Sequence, residues 1–448
     1  MSGEPGPESA REGRFQASAL IRAIRQPAAS AVMWMMLSAV LGRVAALLMT
    51  VVIGRRIGPE SYGVFAFATS TVLLAAQLGG LGWPMLVIRM IPKYVQEQDW
   101  SRLRGLRKSA DRVMLAATLA IGLGCAVFAG LFLDRRDPLF VGMLVAAALI
   151  VPTGFRLLHR QELAGIDRAA PGIFFDETMA PLFVLVACLV LGMRQDTEIF
   201  AVYVAGTYAS AVFSRVLYRR WAHRGEFTAK PTFEFRGWMT VSLPMMTAVA
   251  SRVMLDRVDS IMLAPLSSVY QVGLYGSAFR IVVATNVVIM ISAIVRPMLA
   301  RLYEAGEHRR AARVMRNYYL FTGVTAVGMG AALFFLADPI IRLSLGPEFI
   351  EAAGVMRILA VGQVFGALAE ASSSYLLMCG KERLYGAFSL IGLLMNVLLN
   401  FMLIPTMGAE GTALATAFTN LVFFGVSCTI VARALKERSR AEERQSPS

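Results

Sequence analysis

The chain of 448 residues has few of the residue types on which metal sites and covalent catalysis depend. It contains four cysteines and three histidines, and the cysteines lie in or beside apolar runs rather than at the spacing of metal ligands. It also lacks a glycine-rich phosphate loop and a nucleophile elbow. We therefore expect no metal centre, no bound cofactor and no enzymatic activity.

Charged residues are scarce as well. They make up 17% of the chain, whereas hydrophobic residues make up 56%, and soluble domains typically carry about 25% charged residues. The formal net charge is nevertheless +14, from 44 Lys and Arg against 30 Asp and Glu. In a soluble protein this excess would indicate nucleic-acid binding, whereas in a membrane protein it indicates basic cytoplasmic loops.

Long apolar runs decide in favour of the membrane. A transmembrane helix needs about 20 mainly apolar residues, and twelve segments of the chain satisfy this requirement. They are 31–53, 62–82, 112–133, 138–157, 171–193, 198–218, 238–264, 272–296, 317–337, 352–378, 387–405 and 411–433. The predicted fold class is thus an all-α, multi-pass membrane protein.

The basic residues orient these spans. With the N-terminus inside, the cytoplasmic segments hold 32 of the Lys and Arg residues, the outer loops hold 6 and the spans hold 6. This asymmetry predicts cytoplasmic N- and C-termini and an even number of spans. It accounts for the positive charge without nucleic acid as a partner, and we expect the protein in the cytoplasmic (inner) membrane.

Three short segments recur in the second half of the chain. Gly63-Val-Phe-Ala-Phe-Ala68 is similar to Gly273-Leu-Tyr-Gly-Ser-Ala278, at an offset of 210 residues, and two further pairs follow in the same order. The repeat predicts two parallel lobes of six spans, an arrangement found in transporters that handle substrate between the halves. The predicted divisions are a cytoplasmic N-terminal segment, an N-lobe, an inter-lobe linker, a C-lobe and a cytoplasmic tail, at 1–30, 31–220, 221–236, 237–433 and 434–448.

Several motifs, in order along nearly the whole chain, resemble one family. They include Arg55-Arg56 followed by Gly58-Pro-Glu-Ser-Tyr-Gly63, then Asp259-Ser-Ile-Met-Leu263, Gly346-Pro-Glu-Phe349 and Asn396-Val-Leu-Leu-Asn400. The chain is similar to O-antigen and exopolysaccharide flippases of the multidrug/oligosaccharidyl-lipid/polysaccharide exporter (MOP) superfamily. The resemblance implies a two-lobed helical fold, alternating access and an undecaprenyl-diphosphate-linked oligosaccharide as substrate.

Arginines within the spans are the first candidates for a substrate site. An Arg at the centre of a membrane helix costs about 2.5–3.5 kcal/mol on insertion scales, so it usually faces a polar cavity or an ion-pair partner. Arg43, Arg252 and Arg280 lie near the middle of spans 1, 7 and 8. We expect them to face a cavity between the lobes, where guanidinium groups suit diphosphate oxygens. An Arg280–Asp256 ion pair is the alternative.

Acidic residues in the spans are candidates for ion coupling. Arg252, Asp256 and Asp259 have i, i+4, i+7 spacing, which places them on one helical face. Asp256, Asp259 and Glu370 could form a polar stripe or bind a coupling ion, H+ or Na+, with a structural ion pair as the alternative. For the other span charges we expect membrane-surface positions for Arg296 and Arg357, access to water for Asp176 and Glu177, and no assigned position for Arg257.

The leading functional hypothesis is a flippase for lipid-linked oligosaccharide repeat units, acting in the lipid bilayer together with polysaccharide polymerase and chain-length machinery. A lipid II-type flippase and an ion-coupled multidrug exporter of the same superfamily are the alternatives, and an exporter of cations should have an acidic cavity. A membrane-bound polysaccharide polymerase or ligase would carry a long outer loop, and the predicted outer loops are all short.

Overall fold

The protein is a bundle of α-helices. The computed structural model describes residues 27–284, 288–379 and 382–445, except for the side chains at 27–32, 247–252, 288–291, 293–294, 382–383 and 435–445. Most of the predicted N-terminal segment (1–26) and the last three residues therefore lie outside the described part. The described residues contain no strand.

In the first half of the chain the described residues form eight helices and one π-helical turn, which we number in chain order. These are α1 (Pro27–Gly79), α2 (Trp83–Gln96), α3 (Trp100–Phe132), α4 (Pro138–Gly165), α5 (Ala169–Ile173), the π turn (Phe174–Thr178), α6 (Met179–Val190), α7 (Asp196–Trp221) and α8 (Arg224–Thr228).

In the second half, the part that the structure describes forms seven helices and a 3-10 turn. These are α9 (Phe235–Leu266), α10 (Val269–Ala284), α11 (Val288–Glu304), α12 (His308–Phe335), α13 (Ala337–Ser344), the 3-10 turn (Pro347–Phe349), α14 (Ala352–Met378) and α15 (Glu382–Gln445).

Helices α1 and α15 each contain two predicted spans. In α1 the backbone breaks at Gly58, whose φ of 73° suits glycine, and the helix restarts at Pro59. The Tyr62 hydroxyl lies 3.4 Å from Thr50 Oγ1, although a straight helix would separate these residues by about 18 Å. The two arms of α1 therefore fold back on each other, and α15 has an equivalent break at Gly408.

The predicted all-helical, multi-pass fold is confirmed. Eight helices of the described chain are long and apolar enough to cross a membrane, and two of these are the broken helices α1 and α15. The positions predicted for spans 7 and 8 are occupied by α9 and by α10 with α11. Large apolar side chains such as Leu131, Val190 and Phe335 are more than 70% exposed, as expected for a lipid-facing surface. The cytoplasmic position of the termini remains a prediction.

The two lobes meet in a reciprocal contact between the second arm of α1 and α10. A Cβ added to Gly63 would collide with the Val269 carbonyl and lie 3.0 Å from the backbone nitrogen of Gly273. A Cβ added to Gly273 would collide with the Pro59 carbonyl and lie 3.2 Å from the nitrogen of Gly63. Both residue pairs are related by the 210-residue offset of the sequence repeat, so the pseudo-two-fold axis passes between these glycines.

The segment between the lobes is fixed to the predicted inner end of the N-lobe. The Thr232 amide donates to the Ser101 carbonyl at 3.0 Å, and Arg104 Nη1 donates to the Ala229 carbonyl at 2.6 Å. Glu226 on α8 forms an ion pair with Arg107 on α3 at 2.7 Å. The linker thus runs along the first turns of α3 before α9 begins the C-lobe.

Candidate functional site

A cavity of about 400 Å³ lies between the lobes. Its walls come from both arms of α1, from α4, the π turn, α6 and α7 of the N-lobe, and from α9 and α10 of the C-lobe. Its charged lining residues are five arginines and two acids: Arg43, Arg156, Arg160, Arg257, Arg280, Asp176 and Glu177. The volume falls within the range of small-molecule sites.

The π turn brings the two acids to the cavity wall. π turns insert an extra residue into a helix and occur frequently at functional sites. Here the turn carries Asp176 and Glu177, and the Ser210 hydroxyl of α7 donates to the carbonyl of Phe175 within it. The first arm of α1 can approach the turn because residue 42 is glycine, whose added Cβ would lie 2.8 Å from the Cβ of Glu177.

One side of the cavity is a closed ion-pair network. Asp176 is buried and bridges two arginines of α4, with Oδ1 at 3.0 Å from Arg156 Nη2 and Oδ2 at 2.9 Å from Arg160 Nη1. Arg160 Nη1 is also 2.8 Å from Glu177 Oε1. These charge-assisted hydrogen bonds hold both guanidinium groups in place.

The other side carries three arginines that are not held in close ion pairs by the described side chains. Among the side chains that the structure describes, Arg43, Arg257 and Arg280 form no ion pair within 4.0 Å, and the Arg280 guanidinium lies 6.0 Å from the centre of the Phe65 ring. Five guanidinium groups against two carboxylates leave three formal positive charges on the lining. Such a surface attracts an anion, because fixed cations in a site of low dielectric act strongly on a partner charge.

Two of the six predicted site residues, Arg43 and Arg280, line this cavity. The side chain of Arg252 lies outside the described residues. Asp256 is an exposed residue of α9 that is not part of the lining, and its charge acts on the neighbouring Arg257.

Asp259 lies in a separate buried cluster within the C-lobe. Its Oδ2 accepts hydrogen bonds from the Tyr275 hydroxyl and from Thr416 Oγ1, both at 2.6 Å, and its Oδ1 accepts one from Asn400 Nδ2 at 2.7 Å. The side-chain oxygen of Asn400 is buried and has no hydrogen-bond partner among the described groups. The cluster joins α9, α10 and both arms of α15.

Glu370 has its partner elsewhere in the C-lobe. It forms an ion pair with Arg296, whose Nε lies 3.3 Å from Ser374 Oγ. Arg296, expected at the membrane surface, is thus held by α14, and Arg357 pairs with Asp338. Neither pair lines the cavity.

Arg156 and Arg160 are cavity residues that sequence reasoning assigned to a cytoplasmic loop. Arg156 lies at the end of the predicted span 138–157 and Arg160 just beyond it, and both line the cavity because the helix continues to Gly165. Their i, i+4 spacing places both on one helical face. This spacing, together with two adjacent acids in the next span, is the sequence signal that could have identified them.

Comparisons with known proteins agree with this architecture. The structure resembles a multidrug resistance MATE family transporter of the MOP superfamily in an inward-facing conformation, with a TM-score of 0.74 and 14% identity over 89% of this chain and 96% of that chain. It also resembles the lipid II flippase MurJ in an inward closed conformation, with a TM-score of 0.71 and 13% identity over 89% of this chain and 87% of that chain. The chain therefore shares the fold of these two membrane proteins.

Sequence comparison assigns the family. A family model described as polysaccharide biosynthesis protein matches residues 29–303, and a second model, MatE, matches residues 244–402. An uncharacterized membrane protein of Methanocaldococcus jannaschii is 21% identical over 422 residues, which cover 88% of this chain and 82% of that protein. The chain belongs to the polysaccharide biosynthesis protein family.

Proposed function

We propose that the protein is a flippase that moves polyprenyl-diphosphate-linked oligosaccharide repeat units across the cytoplasmic membrane for the synthesis of cell-surface polysaccharide. The observation that carries this proposal is the excess of three positive charges on the lining of the inter-lobe cavity. The diphosphate would bind there with the first sugars, and the prenyl chain would remain in the lipid. No covalent bond changes, so the protein would act as a transporter rather than an enzyme.

The positions of the arginines support this assignment. Arg43 lies on the N-lobe and Arg280 on the C-lobe, so a diphosphate between them would contact both lobes. Guanidinium groups bind phosphate oxygens through paired hydrogen bonds. The arginine of each lobe would therefore stay in contact with the bound diphosphate while the lobes move.

Alternating access would require the lobes to separate where they now touch. Besides the contact between Gly63 and Gly273, Arg55 of α1 donates to the Ser344 carbonyl of the C-lobe at 2.6 Å and to the Leu343 carbonyl. Apolar contacts, such as that between the rings of Tyr62 and Phe349, also join the lobes there and would have to separate when the interface opens.

We further propose the Asp259 cluster as the place where a coupling cation, Na+ or H+, binds. A buried carboxylate beside the unpartnered amide oxygen of Asn400 and the hydroxyl of Thr416 presents the oxygen ligands that hard cations prefer. The cluster lies on α9, the same helix as Arg257 of the cavity, so that cation binding and cavity shape could be linked through one helix.

The proposal is tested by complementation in a strain that lacks the protein. Deletion should leave the lipid-linked repeat unit on the inner leaflet and remove surface polysaccharide, and the wild-type gene should restore both. Arg43→Ala and Arg280→Ala should fail to restore export although the proteins reach the membrane. Arg194→Ala, an exposed arginine outside the cavity, is the matched control and should restore it.

A lipid II-type flippase is the nearest alternative, because its substrate also carries a diphosphate and MurJ shares the fold. Rescue of a strain depleted of its lipid II flippase, with surface polysaccharide unchanged by deletion, would favour it. A multidrug exporter is disfavoured by the positive cavity, and increased drug sensitivity with normal polysaccharide would support it instead. If the flippase assignment holds, a polysaccharide polymerase and chain-length proteins are the expected partners.

A further inference from the structure

A second group of buried charged side chains lies away from the cavity, where the inner ends of α3, α4 and α7 meet helix α8 of the linker. Its members are Arg107 and Asp111 on α3, His159 and Glu162 on α4, Arg215 and Tyr218 on α7, and Glu226 on α8. The proposed function makes no use of this group.

Glu162 is the least satisfied member of the group. Its side chain is 0% exposed, and neither carboxylate oxygen has a hydrogen-bond partner in the described part of the chain. The Arg215 guanidinium lies 3.6 Å from Glu162 Oε2 but binds Asp111 more closely, at 2.6 Å. An ionised carboxylate in this position would be buried without hydrogen bonds, which is costly.

The neighbouring His159 directs the lone pair of its ring nitrogen Nε2 towards Glu162. His159 Nδ1 lies 3.1 Å from the carbonyl oxygen of Ala211, which can only accept, so Nδ1 carries the ring proton. The Ser214 hydroxyl near Nδ1 is itself within donating distance of backbone carbonyls. Nε2 is therefore an acceptor without a partner, 4.0 Å from Glu162 Oε2. Two acceptors that face each other in a buried space repel unless a proton lies between them.

The same group anchors the inter-lobe linker. Glu226 is 1% exposed, forms the ion pair with Arg107 and accepts a hydrogen bond from the Tyr218 hydroxyl at 3.1 Å. The Arg107 guanidinium lies over the rings of Tyr218 and Phe227, at 5.0 and 5.3 Å from their centres. The charges of both Glu162 and Glu226 act on Arg107, so the two carboxylates compete for one cation.

We propose that His159 and Glu162 form a proton-binding site whose occupancy decides whether Arg107 holds the linker through Glu226. With the proton on its carboxyl group, Glu162 is neutral and Arg107 pairs with Glu226. When the proton passes to solvent water, the Glu162 carboxylate attracts Arg107, because the nearer Arg215 is already paired with Asp111. Glu226 is then left as a buried charge without its partner, a strongly unfavourable state, and α8 leaves its position on α3.

Other charged or titratable groups face the proton site from each neighbouring element. They are Arg107 and Asp111 from α3, Arg215, Tyr218 and the exposed Arg219 from α7, and Glu226 from α8. Burial raises the pKa of the Glu226 carboxyl above its ordinary value, and Arg107 opposes that shift. Glu226 can therefore also titrate, and a test must separate it from Glu162.

Infrared difference spectroscopy of the full-length protein in lipid nanodiscs detects the proton directly. A carboxyl group that stays protonated where exposed carboxylates are ionised gives a separate C=O band that disappears with rising pH. We expect Glu162→Gln to remove such a band and Glu226→Gln to leave it. If every band of this kind persists in the Glu162→Gln protein, the proposal is overturned.

Linker docking is measured by the distance between spin labels at Gln98 and Lys230, both exposed, in a background without the four native cysteines. The wild-type distance should be short and narrow at acidic pH and should lengthen as pH rises. Glu162→Gln, which mimics the protonated carboxyl, should keep the linker docked at pH values where the wild type has released it. Glu304→Gln, an exposed acid of the C-lobe, is the control and should follow the wild type.

A pH profile of Glu162→Gln identical to that of the wild type would refute the proposed control of linker docking by the His159–Glu162 site. Should this variant fail to fold, His159→Gln provides a second test, because an unchanged midpoint in that variant would equally exclude the site. The readouts require no transported substrate, so failure of this proposal and failure of the flippase assignment can be told apart.

Discussion

The most discriminating prediction concerns Glu177, the cavity acid that can be removed with least damage. Its carboxylate is 33% exposed and lies 2.8 Å from Arg160, which keeps its second partner, Asp176, when Glu177 is changed. Glu177→Gln preserves the shape of the side chain, removes one negative charge from the lining and leaves part of the Arg160 guanidinium free. If the ligand is an anion, the variant should bind it more tightly than the wild type.

The expected gain follows from two opposing terms. A hydrogen bond from the freed guanidinium to phosphate contributes about 1.5–3 kcal/mol. The glutamine side chain can still accept a neutral hydrogen bond of about 0.5–1.5 kcal/mol from Arg160, and phosphate must displace it. The net gain of about 1–2 kcal/mol corresponds to an affinity higher by a factor of about 5–30.

The assay is equilibrium binding of a short-chain prenyl diphosphate to the purified protein in nanodiscs, measured by calorimetry. Glu198→Gln, an exposed acid outside the cavity, should leave the affinity unchanged. Weaker binding in Glu177→Gln would refute the anion-binding interpretation. Tighter binding of an organic cation by the wild type than by the variant would instead favour an exporter.

Three further predictions concern other parts of the molecule. Arg43→Ala should weaken prenyl diphosphate binding by a factor of about 10–100, since it removes a charge-assisted bond of about 1.5–3 kcal/mol. Arg43→Lys should recover part of the lost affinity. An unchanged affinity in both variants would remove Arg43 from the site. Gly63→Val should prevent the lobes from meeting, because the valine side chain would overlap the backbone of α10. We expect loss of export and greater cysteine labelling of the inter-lobe surface. Normal export would show that this contact is dispensable. Asp259→Asn should abolish any stimulation of transport by Na+ or by a proton gradient in proteoliposomes while substrate binding remains, and retained stimulation would place the coupling ion elsewhere.

Much of the fold could be predicted because membrane insertion depends on local composition. About 20 apolar residues suffice to cross the hydrocarbon layer, so hydropathy alone located the spans that the helices occupy. Even the contact between the lobes had a sequence signal, since the repeat pairs Gly63 with Gly273 at the point where the structure brings their backbones together. The breaks at Gly58 and Gly408 were less evident, because the helices continue on both sides of them.

The candidate site was predicted less completely. Arg43 and Arg280 stood out because they interrupt apolar runs, and both line the cavity. Arg156 and Arg160 lie at and just beyond the end of their apolar run, so their sequence position was compatible with water, and only the continuation of α4 places them beside Asp176. Asp259 was predicted on a face shared with Asp256, whereas the structure gives it three hydrogen-bond donors from α10 and α15.

The sequence by itself thus determined the class of protein, the number of spans and the short list of charges that a membrane would not tolerate without compensation. These properties depend on residue composition along the chain and on spacing within single helices. Tertiary structure alone decided which charges neutralise one another and which remain free to bind a ligand. The reason is that ion pairing depends on distances of a few ångströms between side chains far apart in sequence, as with Arg107 and Glu226, and the packing of helices sets those distances.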